Sequence, residues 1–144
     1  MKEAVSEAPK RPLDVVALAV VRNRRFLLAR SRGKTAFYLP GGKREPGESD
    51  IAALRREIVE ELGCEPDLRH TAFFKEYDAP AFGEGEGTRV VMKLFRGSLT
   101  GTPEPQREID EIGYFTVDEY AAMSDRARAS ELVLEDLRTM GIVD

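Results

Sequence analysis

The chain has 144 residues, a formal net charge of -4, and 33% charged against 42% hydrophobic residues. This balance suits one soluble domain with its own core and argues against binding driven by phosphate neutralisation along a nucleic acid. One cysteine, Cys64, excludes an internal disulfide and a thiolate zinc cage, and no apolar run approaches the roughly 18 residues of a membrane span.

Residues 1–12 are polar, carry Pro9 and Pro12, and read as a flexible arm before a single domain over 13–144. The arm lacks an apolar core of signal-peptide length, so a cytoplasmic protein is expected. Leu13–Val21 (LDVVALAVV) is valine-rich and predicts a buried strand. Arg22, Asn23 and Arg24 make a turn, and Arg25–Ser31 returns as the second strand of a hairpin. A basic loop with Gly33 follows, then Phe37, Tyr38 and Leu39 before Pro40. Gly41 and Gly42 open a glycine loop. Ser49 is placed to cap the helix that follows. Ile51, Leu54, Ile58 and Leu62 recur at spacings of three and four and form its core stripe, and Gly63 stops it. Strands are expected over Ala72–Tyr77, Thr88–Leu99 and Ile112–Thr116, with a glycine-rich loop around Phe82 between the first two. A short helix is expected over Val117–Met123. A longer one spans Ser130–Met140, capped by Ser130, stopped by Gly141, and apolar through Leu132, Leu134, Leu137 and Met140. Strands interrupted by a few helices predict an α+β fold with a mixed sheet between helices; the initial hairpin excludes a fully parallel sheet.

Glu57, Glu60 and Glu61 stand at i, i+3 and i+4, so one helix face carries all three carboxylates. Gathered like charges stabilise nothing by themselves. A hard cation such as Mg²⁺ takes oxygen ligands and shares them with a substrate phosphate. Gly41 and Gly42 allow backbone to approach the same place. Arg56 adjoins the ligands and offers bidentate contact to a carboxylate, and Glu48 stands within reach. A bare glutamate pattern also describes a solvated helix face, so its setting in the chain decides the matter.

From Gly42 the chain reads glycine, five residues, Glu48, seven residues, Arg56, Glu57, an aliphatic, one residue, Glu60, Glu61, one residue, Gly63. This resembles the signature of the Nudix hydrolase superfamily, and the chain looks MutT-like in size. The departure is Cys64, where a bulky aliphatic is usual. The resemblance implies a Nudix fold, a mixed β-sheet sandwiched between α-helices (α/β/α). It also implies hydrolysis of a pyrophosphate bond in a nucleoside diphosphate linked to another group, with Mg²⁺ or Mn²⁺. Glu57, Glu60 and Glu61 match metal-ligand positions, the Gly41 carbonyl matches a frequent further ligand, and Arg56 and Glu48 match positions that orient the ligands. The general base is one of the box glutamates or Glu108. Glu108 and Ile109 followed by Tyr114 resemble a second family pattern, with Tyr114 where tryptophan is usual; Glu111 is a rival in the same loop.

Substrate choice rests on weaker signals. Phe37, Tyr38 and Phe82 offer rings for stacking on a base. Strand alternation sends one of Phe37 and Tyr38 into the core. Arg30, Arg32, Lys34, Lys43 and Arg44 are cations near the box, with Arg32 and Lys43 the leading candidates for phosphate contact. Pro80 resembles a marker of ADP-ribose-hydrolysing members but also suits a loop. His70 reads as a surface residue. The resulting expectation is hydrolysis of a nucleoside triphosphate to monophosphate and pyrophosphate. The alternatives are an ADP-ribose or nucleotide-sugar pyrophosphatase and a nucleotide-sensing module without turnover. The partner expected is a small nucleotide rather than a nucleic-acid polymer or membrane, for a monomer or homodimer.

Overall fold

The structure, a computed structural model, describes residues 11–81, 84–85 and 87–144. Its elements run β1 (Leu13–Arg22), β2 (Arg25–Ser31), β3 (Gly41–Lys43), α1 (Asp50–Leu62), a 3-10 turn (Leu68–His70), β4 (Ala72–Pro80), β5 (Arg89–Gly97), β6 (Ile109–Phe115), α2 (Val117–Ala121) and α3 (Arg128–Thr139). The sheet order is β4-β5-β1-β2-β6, with β3 added beside β1. β1 and β5 pair in parallel from Leu13↔Val90 to Val20↔Gly97, while the other pairings are antiparallel. The sheet is therefore mixed, as expected.

β1 is the centre of the molecule because both its faces are covered, which explains its near-continuous apolar sequence. Val16, Leu18 and Val20 face the α1 side, with Leu54, Ile58 and Leu62. Ala17 and Ala19 face the other side, with Val133, Leu134 and Leu137 of α3. This alternation produces the α/β/α layering. The β1–β2 turn takes positive φ at Asn23 and Arg24, 52° and 62°, the backbone that suits a tight hairpin. None of the helices among the described residues is long and apolar enough to cross a membrane.

Several expected boundaries change. Gly41–Lys43, read as loop, is a short strand because Val15, Val16 and Ala17 of β1 pair with Lys43, Gly42 and Gly41. β4 continues to Pro80 and β6 begins at Ile109, since β5 and β2 extend the partner edges. β5 spans Arg89–Gly97, and α2 ends at Ala121. Ser130 does not cap α3: the helix starts at Arg128 after Ala127, and the Ser130 hydroxyl is buried, accepting the Leu39 amide hydrogen at 3.3 Å. On α3, Val133 takes a fully buried place, whereas Met140, just past the end of the helix, is 53% exposed. Most of the expected arm, residues 1–10, lies outside the described residues.

Candidate active site

α1 is secured at both ends. The Ser49 hydroxyl accepts the Ala52 amide hydrogen at 3.1 Å, and Gly63, at φ 72°, donates its amide to the Val59 carbonyl at 3.0 Å. With Ala53, Leu54, Ile58 and Leu62 facing the sheet, the three glutamates are carried toward β3. Glu61 Oε1 accepts the Gly41 amide hydrogen at 3.1 Å. Gly42 has no room for a side chain: a Cβ there would stand 2.4 Å from the Glu57 carboxyl carbon. A Cβ on Gly41 would stand 2.0 Å from the Val16 carbonyl oxygen, because β3 lies against β1 at that point. The two glycines let strand and carboxylates share one space.

Arg56 organises the acids. Its Nε and Nη2 donate to the two Glu48 carboxylate oxygens at 2.8 Å each, a bidentate pair. Nη2 also donates to the Lys43 carbonyl at 3.0 Å. Nη1 donates to Glu57 Oε1 at 3.0 Å and stands 3.6 Å from Glu60 Oε2. Glu48 also accepts the Glu45 amide hydrogen. The Arg56 guanidinium first, and that amide second, hold the Glu48 carboxyl at about 2. Glu57 moves the other way: loss of solvent raises it, against the opposing pull of Arg56. Glu61 is pushed up to about 8, chiefly by burial and further by the charges of Glu57 and Glu60, with only the Gly41 amide acting against the shift.

Such a carboxylate is in want of a cation. The oxygen donors fit Mg²⁺ or Mn²⁺, which prefer hard ligands. Among the described residues, no three acidic, histidine or cysteine side chains stand as a closed metal cage. Arg56 instead engages Glu57 and approaches Glu60. A cation would therefore compete with Arg56 for two carboxylates while meeting the need of Glu61.

Two cavities meet at this helix. The acidic one, about 260 Å³, is lined by Glu57, Glu60, Glu61, Gln106, Arg107 and Glu108, with Ser31 and Ile109. The other, about 290 Å³, is walled mainly by strand residues such as Val15, Ala17, Val90 and Met92, together with Tyr38 and Ala129. Ser31, Glu61 and Ile109 line both. Burial, and secondarily the charge of Glu84, raises the Tyr38 phenol above its ordinary value.

The expected site residues fall into distinct places. Tyr38, Lys43 and Pro80 line the larger cavity, and so does Lys34. Phe37 is core: it packs edge-on against Phe115 at 5.1 Å, lies under the Arg30 guanidinium, and its carbonyl accepts the Tyr120 hydroxyl at 2.7 Å. It lines neither cavity, so the expected stacking role does not suit its position. Phe82 lies outside the described residues. Arg32 is exposed and lines neither cavity; its amide donates to the Glu108 carbonyl at 2.6 Å. Arg44 is taken by Asp14 at 2.6 Å and Arg30 by Asp110 and Glu111 at 2.9 and 3.1 Å. That pairing withdraws Glu111, while Glu108 lines the acidic cavity. His70 is exposed in the 3-10 turn.

Sequence reasoning missed Ser31, Gln106, Arg107 and Ser130 as lining residues. The available signal was the run of small side chains, Ala17, Ala29, Ala127 and Ala129, which leaves the larger cavity its space. Nothing in the local sequence marked Arg107.

The NUDIX domain family model matches residues 10–136. The chain belongs to the NUDIX domain family. This NUDIX chain is 36% identical over 87 residues to a Bacillus subtilis (strain 168) protein provisionally named an 8-oxo-dGTP diphosphatase, covering 59% of the chain and 53% of that protein. It is 46% identical over 41 residues to the human 8-oxo-dGDP phosphatase NUDT18, covering 27% of the chain and 13% of that protein. The matched stretches thus span about half or less of these relatives' lengths. A NUDIX hydrolase from Nitrosomonas europaea shares the fold with a TM-score of 0.74 at 25% identity, covering 90% of each chain.

Proposed function

We propose that this NUDIX chain is a divalent-cation-dependent hydrolase that cleaves a nucleoside triphosphate to the monophosphate and pyrophosphate. The observation that carries the reading is the half-buried Glu61 carboxylate at the seam of the two cavities, with Glu57 and Glu60 beside it. Glu57, Glu60 and Glu61 hold the cation in this reading, with the Gly41 carbonyl as a further ligand. When bound, Mg²⁺ or Mn²⁺ neutralises phosphate charge and lowers the pKa of water in its shell. Arg56 keeps Glu48 and the ligand carboxylates in register. Glu108, exposed at the acidic cavity, accepts the proton of the attacking water. The apolar cavity excludes water around the nucleoside, with Tyr38 against the base and Lys34 and Lys43 near the phosphates.

The names of the two relatives put oxidised guanine nucleotides first among the substrates to try. The proposal includes a cytoplasmic place of action, where nucleotides are available. The test is turnover with Mg²⁺ on canonical and oxidised nucleoside triphosphates and diphosphates, ADP-ribose and nucleotide sugars. Monophosphate and pyrophosphate from a triphosphate are expected. Preferential cleavage of ADP-ribose or a nucleotide sugar replaces the substrate. Metal binding without turnover of any compound favours a nucleotide-sensing module.

A further inference from the structure

The turn before β6 carries a cation that the roles above leave unused. Arg107 lines the acidic cavity with Glu57, Glu60, Glu61 and Glu108, and it is the one cation among the described residues that do so. Its side chain is exposed and makes no ion pair or hydrogen bond among the described residues, although glutamates line the same cavity. Arg56, Arg30 and Arg44 are each engaged by carboxylates; Arg32, like Arg107, has no side-chain partner among the described residues, but it lines neither cavity.

Its backbone is held in place. Arg107 has φ 52°, a left-handed conformation uncommon outside glycine. The Gln106 amide donates to the Glu61 carbonyl at 3.1 Å, and the Ile109 amide donates to the Gln106 carbonyl at 2.9 Å. The Glu108 carbonyl accepts the Arg32 amide hydrogen. The turn is thus tied to the end of α1, which carries the glutamates, and to the end of β2.

We propose that Arg107 binds the terminal phosphates of the substrate and makes this site prefer nucleoside triphosphates to diphosphates. The inference rests on the reading of the two cavities given above. With the nucleoside in the apolar cavity, the phosphate chain passes the seam at Ser31, Glu61 and Ile109. Each further phosphate then extends into the acidic cavity. Lys34 and Lys43 belong to the nucleoside side of that seam; on the far side Arg107 is the cation available. A guanidinium meets two phosphate oxygens at once, and one left unpaired keeps that capacity for an incoming anion.

The experiment uses the full chain with Mg²⁺ and two variants. Arg107→Asn removes the charge with a residue that tolerates left-handed φ, and Arg107→Lys keeps the charge. Inorganic pyrophosphate and a nucleoside monophosphate are titrated calorimetrically, and kcat/KM is measured for a triphosphate and its matching diphosphate. Arg107→Asn is expected to lose affinity for pyrophosphate about tenfold more than for the monophosphate, the scale of one charge-assisted contact. The triphosphate-to-diphosphate ratio of kcat/KM falls by about the same factor, and Arg107→Lys recovers part of both. Equal losses for triphosphate and diphosphate, or unchanged pyrophosphate affinity, overturn the assignment. Arg107-dependent pyrophosphate binding in a protein that hydrolyses no nucleotide supports Arg107 as a phosphate ligand and refutes the hydrolase reading instead.

Discussion

The two cavities sharing Glu61 are built in opposite ways. The acidic one draws its glutamates from one helix: Glu57, Glu60 and Glu61 come from a single stretch of α1, and Arg56 from the same stretch bonds Glu57 and stands 3.6 Å from Glu60. The apolar one is assembled from β1, β2, β3, β4, β5 and the start of α3, each giving one to three residues. A charged constellation needs a few groups at fixed separations, which one helix supplies. A pocket that fits a flat molecule needs walls on several sides, which only tertiary structure supplies. In the proposed reading the chemistry is therefore local in the chain, whereas recognition is spread across it.

This contrast can be broken by experiment. The largest effect is expected from Glu60→Gln, which should lower kcat roughly 10²–10³-fold, the scale of losing one stabiliser of transition-state charge. The circular dichroism spectrum should not change; wild-type turnover in that variant removes α1 from the chemistry. Next is Gly42→Ala, where the new methyl meets the Glu57 carboxyl at 2.4 Å. Displacing that carboxylate should lower kcat about 10–100-fold, comparable to disturbing a ligand's supporting contact. Steady-state rates at saturating Mg²⁺ check this. Tyr38→Ala touches the other cavity, so it should raise KM about 2–10-fold with a smaller change in kcat, in line with one lost aromatic contact. A pure kcat effect there contradicts the division between chemistry and recognition.

A separate effect is on stability. Glu61 has its folded pKa raised from 4.5 to about 8. Between those values the unfolded chain has lost a proton that the native protein keeps, so metal-free stability falls as pH rises through this window. Glu57 shifts in the same direction. Glu48, at about 2, acts with the opposite sign but only at lower pH. Thermal melts in chelator from pH 5 to pH 8 should show a declining midpoint that Glu61→Gln flattens. Added Mg²⁺ should raise the midpoint most at the alkaline end, since it selects the ionised carboxylate. A flat wild-type profile contradicts the raised pKa of Glu61.

The same contrast governs what could be read from the chain. α1 was legible because its cap, stripe and stop all lie within one amphipathic segment, Ser49 to Gly63. The layered fold followed from the apolar run of β1. β3 was not legible: Gly41–Lys43 has no strand propensity and is a strand because β1 lies beside it. Alternation required one of Phe37 and Tyr38 to be buried without saying which. The packing of Phe37 on Phe115, and the Tyr120 hydroxyl on its carbonyl, decide it. Ser130 had the chemistry of a cap, but its hydroxyl is engaged by the Leu39 amide across the fold. Arg107 became notable only when its turn was tied to the end of α1.

In the proposed reading one face of α1 gathers a divalent cation. Titration of Mn²⁺ into the protein, followed by electron paramagnetic resonance of the free ion, tests it most directly. Wild-type protein should take up Mn²⁺, and the Glu57→Gln, Glu60→Gln and Glu61→Gln variants should each bind at least about tenfold more weakly while remaining folded. Uptake of Mn²⁺ with equal affinity by all four proteins would contradict the account.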